Sequence, residues 1–301
     1  MHIAIPAALA QNVRALAGEA GARWLEKLPS VVEEIEEQWA ISVNEPYVNG
    51  EYNFVARAET HGAVQCVVKV VPPRSDRDHF SEAKYLSVSD GNGAVRLLAH
   101  DRERMAMLIE RANPGETLTQ TFQGRERDAV RPAIDLLRAT SRKIPEDRTD
   151  IILLDDWFEG LRRFERTAFP SSYATKALEI YDRRNKETEL IGYLHGDFHP
   201  DNIVSADRAD FLLIDPKGII GHIGYEIAVF LNNFHWWQDE EPDIRERLAS
   251  AIDQFSHAFG LTETELREWA FAQMVLGAWW MFDEMPDIYD SDVAKADIWA
   301  V

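Results

Sequence analysis

His195-Gly196-Asp197-Phe198-His199-Pro200-Asp201-Asn202, followed after a short turn by Phe211-Leu212-Leu213-Ile214-Asp215-Pro216-Lys217-Gly218, is the stretch on which the reading of this chain turns. Asp197 stands five residues before Asn202, and Asp215 closes an apolar run thirteen residues further on. Phosphoryl transfer from ATP needs this order of groups. One carboxylate takes the proton of an attacking hydroxyl; an amide oxygen and a second carboxylate hold Mg²⁺ on the nucleotide phosphates. Asp and Asn beside Gly and Pro are also ordinary turn residues, so the flanking pattern matters. Residues 191–194 read as a strand-like lead-in. Ile203-Val204 and 211–214, with Ser205, Asp207 and Asp210 between them, read as a β-hairpin that holds Asn202 and Asp215 near each other at one end.

If ATP binds, the first half of the chain should supply a cation for its phosphates. Lys69 lies inside Cys66-Val67-Val68-Lys69-Val70-Val71, and a lysine in so apolar a strand is costly unless paired. Thirteen residues on, Glu82 falls in a predicted helix over 79–86, and a strand lysine bridged to a helix glutamate orients the α- and β-phosphates in kinases. A solvent-facing lysine with an exposed Glu82 is the competing reading; the downstream Asp197, Asn202 and Asp215 favour the pair. The turn Asn49-Gly50-Glu51-Tyr52-Asn53 precedes this strand and is placed to bring backbone N–H groups over phosphates, although it has one glycine and also reads as a plain hairpin turn. Met107-Leu108-Ile109-Glu110-Arg111-Ala112 reads as the link onward. Backbone groups from Glu110 to Ala112, left unpaired by an extended link, are the candidates for the adenine edge.

Around these motifs the hydrophobic period changes along the chain. Residues 7–39 read as helical, with a break at Pro29-Ser30 where Ser30 and Glu33 form a capping box. Strands are predicted over 41–48, 54–58, 65–71, 95–99 and 105–110, and helices over 125–143, 151–164, 171–188, 223–237, 242–258 and 262–282. In the second half only 191–215 reads as strand-like. The composition changes near residue 112, dividing the chain into a β-rich part, 1–111, and a mainly helical part, 112–301.

Composition excludes several classes. The 301 residues include one cysteine, Cys66, which rules out an intramolecular disulfide and a cysteine-rich metal site and suits a reducing cytosol. No signal peptide and no run of membrane-span length is visible. The net charge of −20 speaks against a nucleic-acid partner and would attract a cationic small substrate. His195 and His199 are four apart but lie in a loop with no third ligand in view, so zinc is disfavoured. Trp236, Trp237, Trp279, Trp280 and Phe282 read as core. The neighbouring Asp239, Glu240, Glu241, Asp283, Glu284 and Asp287 read as solvated helix ends or as partners for an amine-bearing ligand.

The motifs over 195–202 and 214–218 resemble those of the aminoglycoside phosphotransferases. The Asp-Pro-Lys-Gly form, with Gly221 and Gly224-Tyr225-Glu226 after it, is similar to the streptomycin 6-phosphotransferase and hydroxyurea-kinase branch, as is Glu110-Arg111-Ala112-Asn113-Pro114-Gly115. The resemblance implies an α+β, protein-kinase-like, two-lobed fold with ATP and Mg²⁺ as cofactors. It implies Asp197 as base, Asn202 and Asp215 as metal ligands, Lys69 on the phosphates with Glu82 positioning it, and Asn53, Glu110 and Ala112 near the nucleotide. Glu226 would brace the catalytic loop, with a partly exposed helix residue as the competing reading. Two departures from protein kinases stand out. Gly196 replaces the arginine that reads activation-loop phosphate, and Tyr225 follows Asp215 too closely for a long activation loop. The expected partner is a small-molecule hydroxyl acceptor bearing amines, or hydroxyurea. A metabolic sugar or amino-sugar kinase, and a catalytically silent nucleotide-binding regulator, remain as alternatives.

Overall fold

Ala7–Trp39 (α1) is helical but not straight, because Gly18 takes φ +54° and ψ −129°. The expected break at Pro29-Ser30 does not occur; Pro29 is carried inside the helix and the kink falls at Gly18 instead. Glycine enters left-handed backbone at no steric cost. Proline in a helix interior costs about 3 kcal/mol, whereas each buried aliphatic side chain returns roughly 1.5–3 kcal/mol. Leu25, Leu28, Val32 and Ile35, on both sides of Pro29, are all buried in the core of this part of the chain, so packing overrides the local break. The structure is a computed structural model, and it describes residues 3–48, 52–73, 76–140, 144–233, 243–284 and 292–299.

The chain divides into two compact units, Met1–Gly115 and Glu116–Val301. In the first, α1 is followed by β1 (Ile41–Pro46), β2 (Phe54–Thr60), β3 (Gln65–Val70), α2 (Asp76–Ser89), β4 (Leu97–Asp101) and β5 (Ala106–Glu110). The sheet is antiparallel, in the order β1-β2-β3-β5-β4. β3 is its central strand, and five of its six residues are buried, Lys69 among them. Position in the sheet thus explains the unbroken apolar run around that lysine. The predicted turn at Asn49, Gly50 and Glu51 lies outside the described residues.

β6 (Pro114–Thr117) stands at the junction of the two units. Then come α3 (Leu118–Thr121), α4 (Glu126–Thr140), β7 (Ile152–Leu153), α5 (Leu154–Leu161), α6 (Ser171–Arg184), β8 (Ile191–Leu194), β9 (Ile203–Ala206), β10 (Ala209–Leu213), β11 (Ile219–His222), α7 (Ile223–Asn233), α8 (Asp243–Phe259) and α9 (Glu263–Glu284). The predicted hairpin is present as β9 and β10, with Leu213 opposite Ile203. The expectation that no other strand occurs in this half is corrected. β11 pairs parallel to β7 and antiparallel to β8, and β6 joins β9. These strands have two to four residues, too short for an alternation to be read, and β11 is buried throughout. The helix expected over 151–164 begins only at Leu154, after β7, and ends as a 3₁₀ turn, Arg162–Arg166. A further 3₁₀ segment, Asp292–Trp299, packs on α9 and buries Trp299, whose indole N–H donates to Asn232 Oδ1 at 2.9 Å. No helix among the described residues is long and apolar enough to cross a membrane.

α7 enters this unit at Gly224, where there is no space for a side chain. A Cβ would stand 2.3 Å from Trp269 Cδ1 and 2.9 Å from His222 Nδ1. Gly224→Ala is therefore expected to destabilise the protein by about 1–3 kcal/mol, read as a lower melting temperature. An unchanged melting temperature would show that Trp269 and α7 have slack that the packing does not suggest.

Candidate active site

β8 delivers the chain to a loop held from below by one carboxylate. Glu226, in the first turn of α7, accepts the N–H of His195 at 2.7 Å and the N–H of Gly196 at 2.8 Å, one on each oxygen. It is almost wholly buried, and burial pushes its carboxyl up to about 8 against the pull of the two N–H groups. Gly196 turns the backbone at φ +84° directly above it.

His195 ties this loop to the one that carries Asp215. Its Nδ1 accepts the Asp197 N–H at 3.2 Å, so its Nε2 carries the proton and donates to the Ile214 carbonyl at 2.8 Å. Its own carbonyl accepts the N–H groups of Lys217 at 2.7 Å and Gly218 at 3.1 Å. Burial holds the imidazole neutral, lowering it from 6.5 to about 4. Both ring nitrogens are committed, so His195 has no lone pair for a zinc ion. His199 Nδ1 likewise accepts the Asp201 N–H, at 3.3 Å.

Asp197 and Asn202 are joined within the loop. Asn202 Nδ2 donates to the Asp197 carbonyl at 3.0 Å and to Asp197 Oδ2 at 3.3 Å. The Ile214 N–H donates to the Asn202 carbonyl at 3.0 Å, which sets Asp215 one residue beyond the hairpin junction. Asp215 takes φ +56°, a left-handed conformation that costs a non-glycine residue of order 1 kcal/mol or more and tends to mark functional sites. Lys217 Nζ lies 3.8 Å from Asp197 Oδ2 and 4.0 Å from Asp215 Oδ2, so the three side chains form one cluster.

In the first unit, Lys69 Nζ meets Glu82 Oε2 at 2.7 Å with both side chains buried. Asn53 is half-buried in the bend before β2. Glu110 ends β5. Its N–H donates to the Arg96 carbonyl and its carboxylate accepts the Arg96 N–H, each at 2.9 Å. The expectation that the backbone over Glu110 to Ala112 is left unpaired is therefore corrected at the Glu110 N–H, which the Arg96 carbonyl beside β5 accepts. Ala112 lies past the strand end, with its carbonyl 2.9 Å from where a Cβ on Gly115 would stand. Of the aromatic and acidic residues near the end of the chain, Trp279 is core and Asp283 pairs with Arg163 at 2.8 Å. Trp236, Trp237, Asp239, Glu240, Glu241 and Asp287 lie outside the described residues. Sequence reasoning left the bracing by Glu226 undecided; an acid inside the apolar run Ile223–Phe230 was the signal for it.

Residues 38–284 match the family model described as aminoglycoside/hydroxyurea antibiotic resistance kinase. The chain belongs to this family. It is 25% identical to a streptomycin 6-kinase of Streptomyces glaucescens, over 94% of this chain and 92% of that protein. It is 27% identical to a hydroxyurea phosphotransferase of Kitasatospora aureofaciens, over 97% of this chain and 82% of that protein. Its fold is similar to that of an aminoglycoside phosphotransferase of Streptomyces rimosus, solved in complex with ADP and streptomycin. That match has a TM-score of 0.59 and 19% identity, over 83% of this chain and 98% of the other. The fold is thus the expected α+β, protein-kinase-like one, with a β-sheet unit followed by a helical unit. The family kinase is a phosphotransferase acting on hydroxyl groups.

The neutral His195 makes the site's stability pH-dependent. The unfolded chain takes a proton on this residue below about 6.5, whereas the folded chain takes it only near 4. The advantage of a neutral buried imidazole is complete above the unfolded value. It disappears as the pH falls through the folded one, a loss on the order of 3 kcal/mol. In urea unfolding, the stability gap between the wild type and His195→Asn is expected to narrow from pH 7 to pH 4. A gap independent of pH would contradict the neutral, bridging tautomer.

Proposed function

We propose that this protein is an ATP- and Mg²⁺-dependent kinase that phosphorylates a hydroxyl of a streptomycin-like aminoglycoside or aminocyclitol, or of hydroxyurea. The observation that carries the reading is the joining of Asp197, Asn202 and Asp215 through the β9–β10 hairpin and the Asn202 amide. The names of the relatives, streptomycin 6-kinase and hydroxyurea phosphotransferase, support the acceptor class.

Asp197 is the base in this reading. Its carboxylate is about a third exposed, at 32%, and so open to an acceptor. Asn202 holds it by Nδ2, which leaves the amide oxygen of Asn202 turned away from the pair. That oxygen and the Asp215 carboxylate are hard donors of the kind Mg²⁺ prefers. When bound, the metal supplies positive charge that neutralises the nucleotide phosphates. Lys69 is the cation for the α- and β-phosphates, held in place by Glu82. Asn53, Glu110 and Ala112 are the nucleotide neighbours, with the N–H of Glu110 already committed to the Arg96 carbonyl. The acceptor oxygen attacks the γ-phosphorus in line while Asp197 takes its proton, a contribution of about 10²- to 10⁴-fold. The excess of 52 acidic over 32 basic residues favours an amine-bearing acceptor.

The test is Mg²⁺-dependent ADP release from ATP, with mass analysis of the product, across streptomycin, other aminoglycosides, hydroxyurea, amino sugars and plain sugars. Addition of one phosphate to streptomycin or to hydroxyurea is the expected result. Turnover confined to plain sugars would replace this reading with a metabolic kinase, and tight ATP binding without turnover on any acceptor would favour a regulator.

A further inference from the structure

The Asp-Pro-Lys-Gly turn carries a charged group to which the reading above gives no task. Lys217 Nζ stands 3.8 Å from Asp197 Oδ2 and 4.0 Å from Asp215 Oδ2, and its side chain is about a third exposed, at 35%. Ion pairs this long and this solvated contribute on the order of 0–1 kcal/mol. These two pairs by themselves therefore add little to stability.

The backbone nevertheless goes to some length to place it. The Lys217 N–H is fixed on the His195 carbonyl, and the residues flanking Pro216-Lys217, Asp215 and Gly218, both have left-handed φ, at +56° and +61°. Across from them, a Cβ on Gly196 would stand 2.9 Å from Ile219 Cγ2 and 3.2 Å from Lys217 Cβ. The space that a side chain at position 196 would occupy is filled by the Ile219 side chain and by the Cβ of Lys217. The glycine beside the base thus leaves room for Ile219 and for the first side-chain carbon of Lys217, from which the lysine extends toward the two carboxylates.

We propose that Lys217 is a catalytic residue of the transfer, its ammonium contacting the γ-phosphoryl group and offsetting the charge on its oxygens in the transition state. This rests on the roles given above to Asp197 and Asp215. The phosphoryl group passes from the metal-bound nucleotide to a hydroxyl that is giving its proton to Asp197. The ammonium lies close to a carboxylate oxygen on each side of that passage. A lone pair of the acceptor oxygen forms the new bond to phosphorus. The hydroxyl proton moves to the Asp197 carboxylate. The bond from the γ-phosphorus to the β-phosphate oxygen breaks, with its electron pair remaining on ADP. Lys217 keeps its protons throughout and acts only as a fixed positive charge.

The test compares the wild type with Lys217→Met and Lys217→Arg. It reads kcat and acceptor KM, the Kd of Mg-ATP and of Mg-ADP by calorimetry, and the melting temperature. Lys217→Met is expected to lower kcat about 10²- to 10³-fold, the cost typical of removing one group that meets developing charge, with little change in acceptor KM. It should weaken Mg-ATP more than Mg-ADP, because only ATP carries the γ-phosphate. Lys217→Arg should recover part of kcat. A Met variant with wild-type kcat overturns the proposal. So does equal weakening of ATP and ADP together with a lowered melting temperature, which is the signature of a structural pair. Should Lys217→Met not fold, Lys217→Gln is measured in the same way. Wild-type protein that binds Mg-ATP but phosphorylates no acceptor would remove the functional reading, and the ATP-against-ADP comparison would still decide the contact of Lys217.

Discussion

The Glu226 carboxylate is the constraint on which the site depends. Its two oxygens receive the N–H groups of His195 and Gly196, which face inward at the end of β8. Without that acceptor, two buried donors would be unsatisfied, each at a cost of about 1–3 kcal/mol. With it, the loop is fixed at the residue before Asp197. His195 carries the constraint onward through its ring and its carbonyl, which meet Asp197 on one side and Ile214, Lys217 and Gly218 on the other. One buried acid and one neutral imidazole therefore set Asp197, Asn202 and Asp215 relative to one another.

The segment after Asp215 is equally constrained. In a switched protein kinase this stretch is a long loop that responds to phosphate. Here Ile219–His222 is already β11, paired with β7 and β8, and α7 begins at the next residue. Gly196 removes the side chain that would read such a phosphate, and Ile219 with the Cβ of Lys217 fills its place. These features belong to a kinase whose second loop is assembled by the sheet itself. A net charge of −20 draws cationic small molecules toward such a site.

Much of this was legible in the sequence because the informative elements are local. The β9–β10 hairpin shows as two apolar runs with turn residues between them, and Lys69 and Glu82 show as charges at costly positions. The central place of β3 then explains why that lysine is surrounded by valines. Less was visible where tertiary packing prevails over local preference. Pro29 remains inside α1 because the residues around it are core, and the kink moves to Gly18. β7 and β11 escaped notice because strands of two and four residues are too short to show a period, and β11 is buried throughout. The N–H of Glu110 was taken as open although the strand was read to that residue, because its partner, the Arg96 carbonyl fourteen positions away, comes beside it only through the fold. The bond from the Asp197 N–H to the His195 ring is a contact between near neighbours, but its partner at Ile214 depends on the fold.

The claim at the centre of this account is that Asp197 accepts the proton of the attacking hydroxyl. The most direct measurement is the turnover of Asp197→Asn beside its affinity for Mg-ATP. The account predicts nucleotide affinity close to that of the wild type and a kcat lower by about 10²- to 10⁴-fold. An Asp197→Asn enzyme that turns over at the wild-type rate would contradict it.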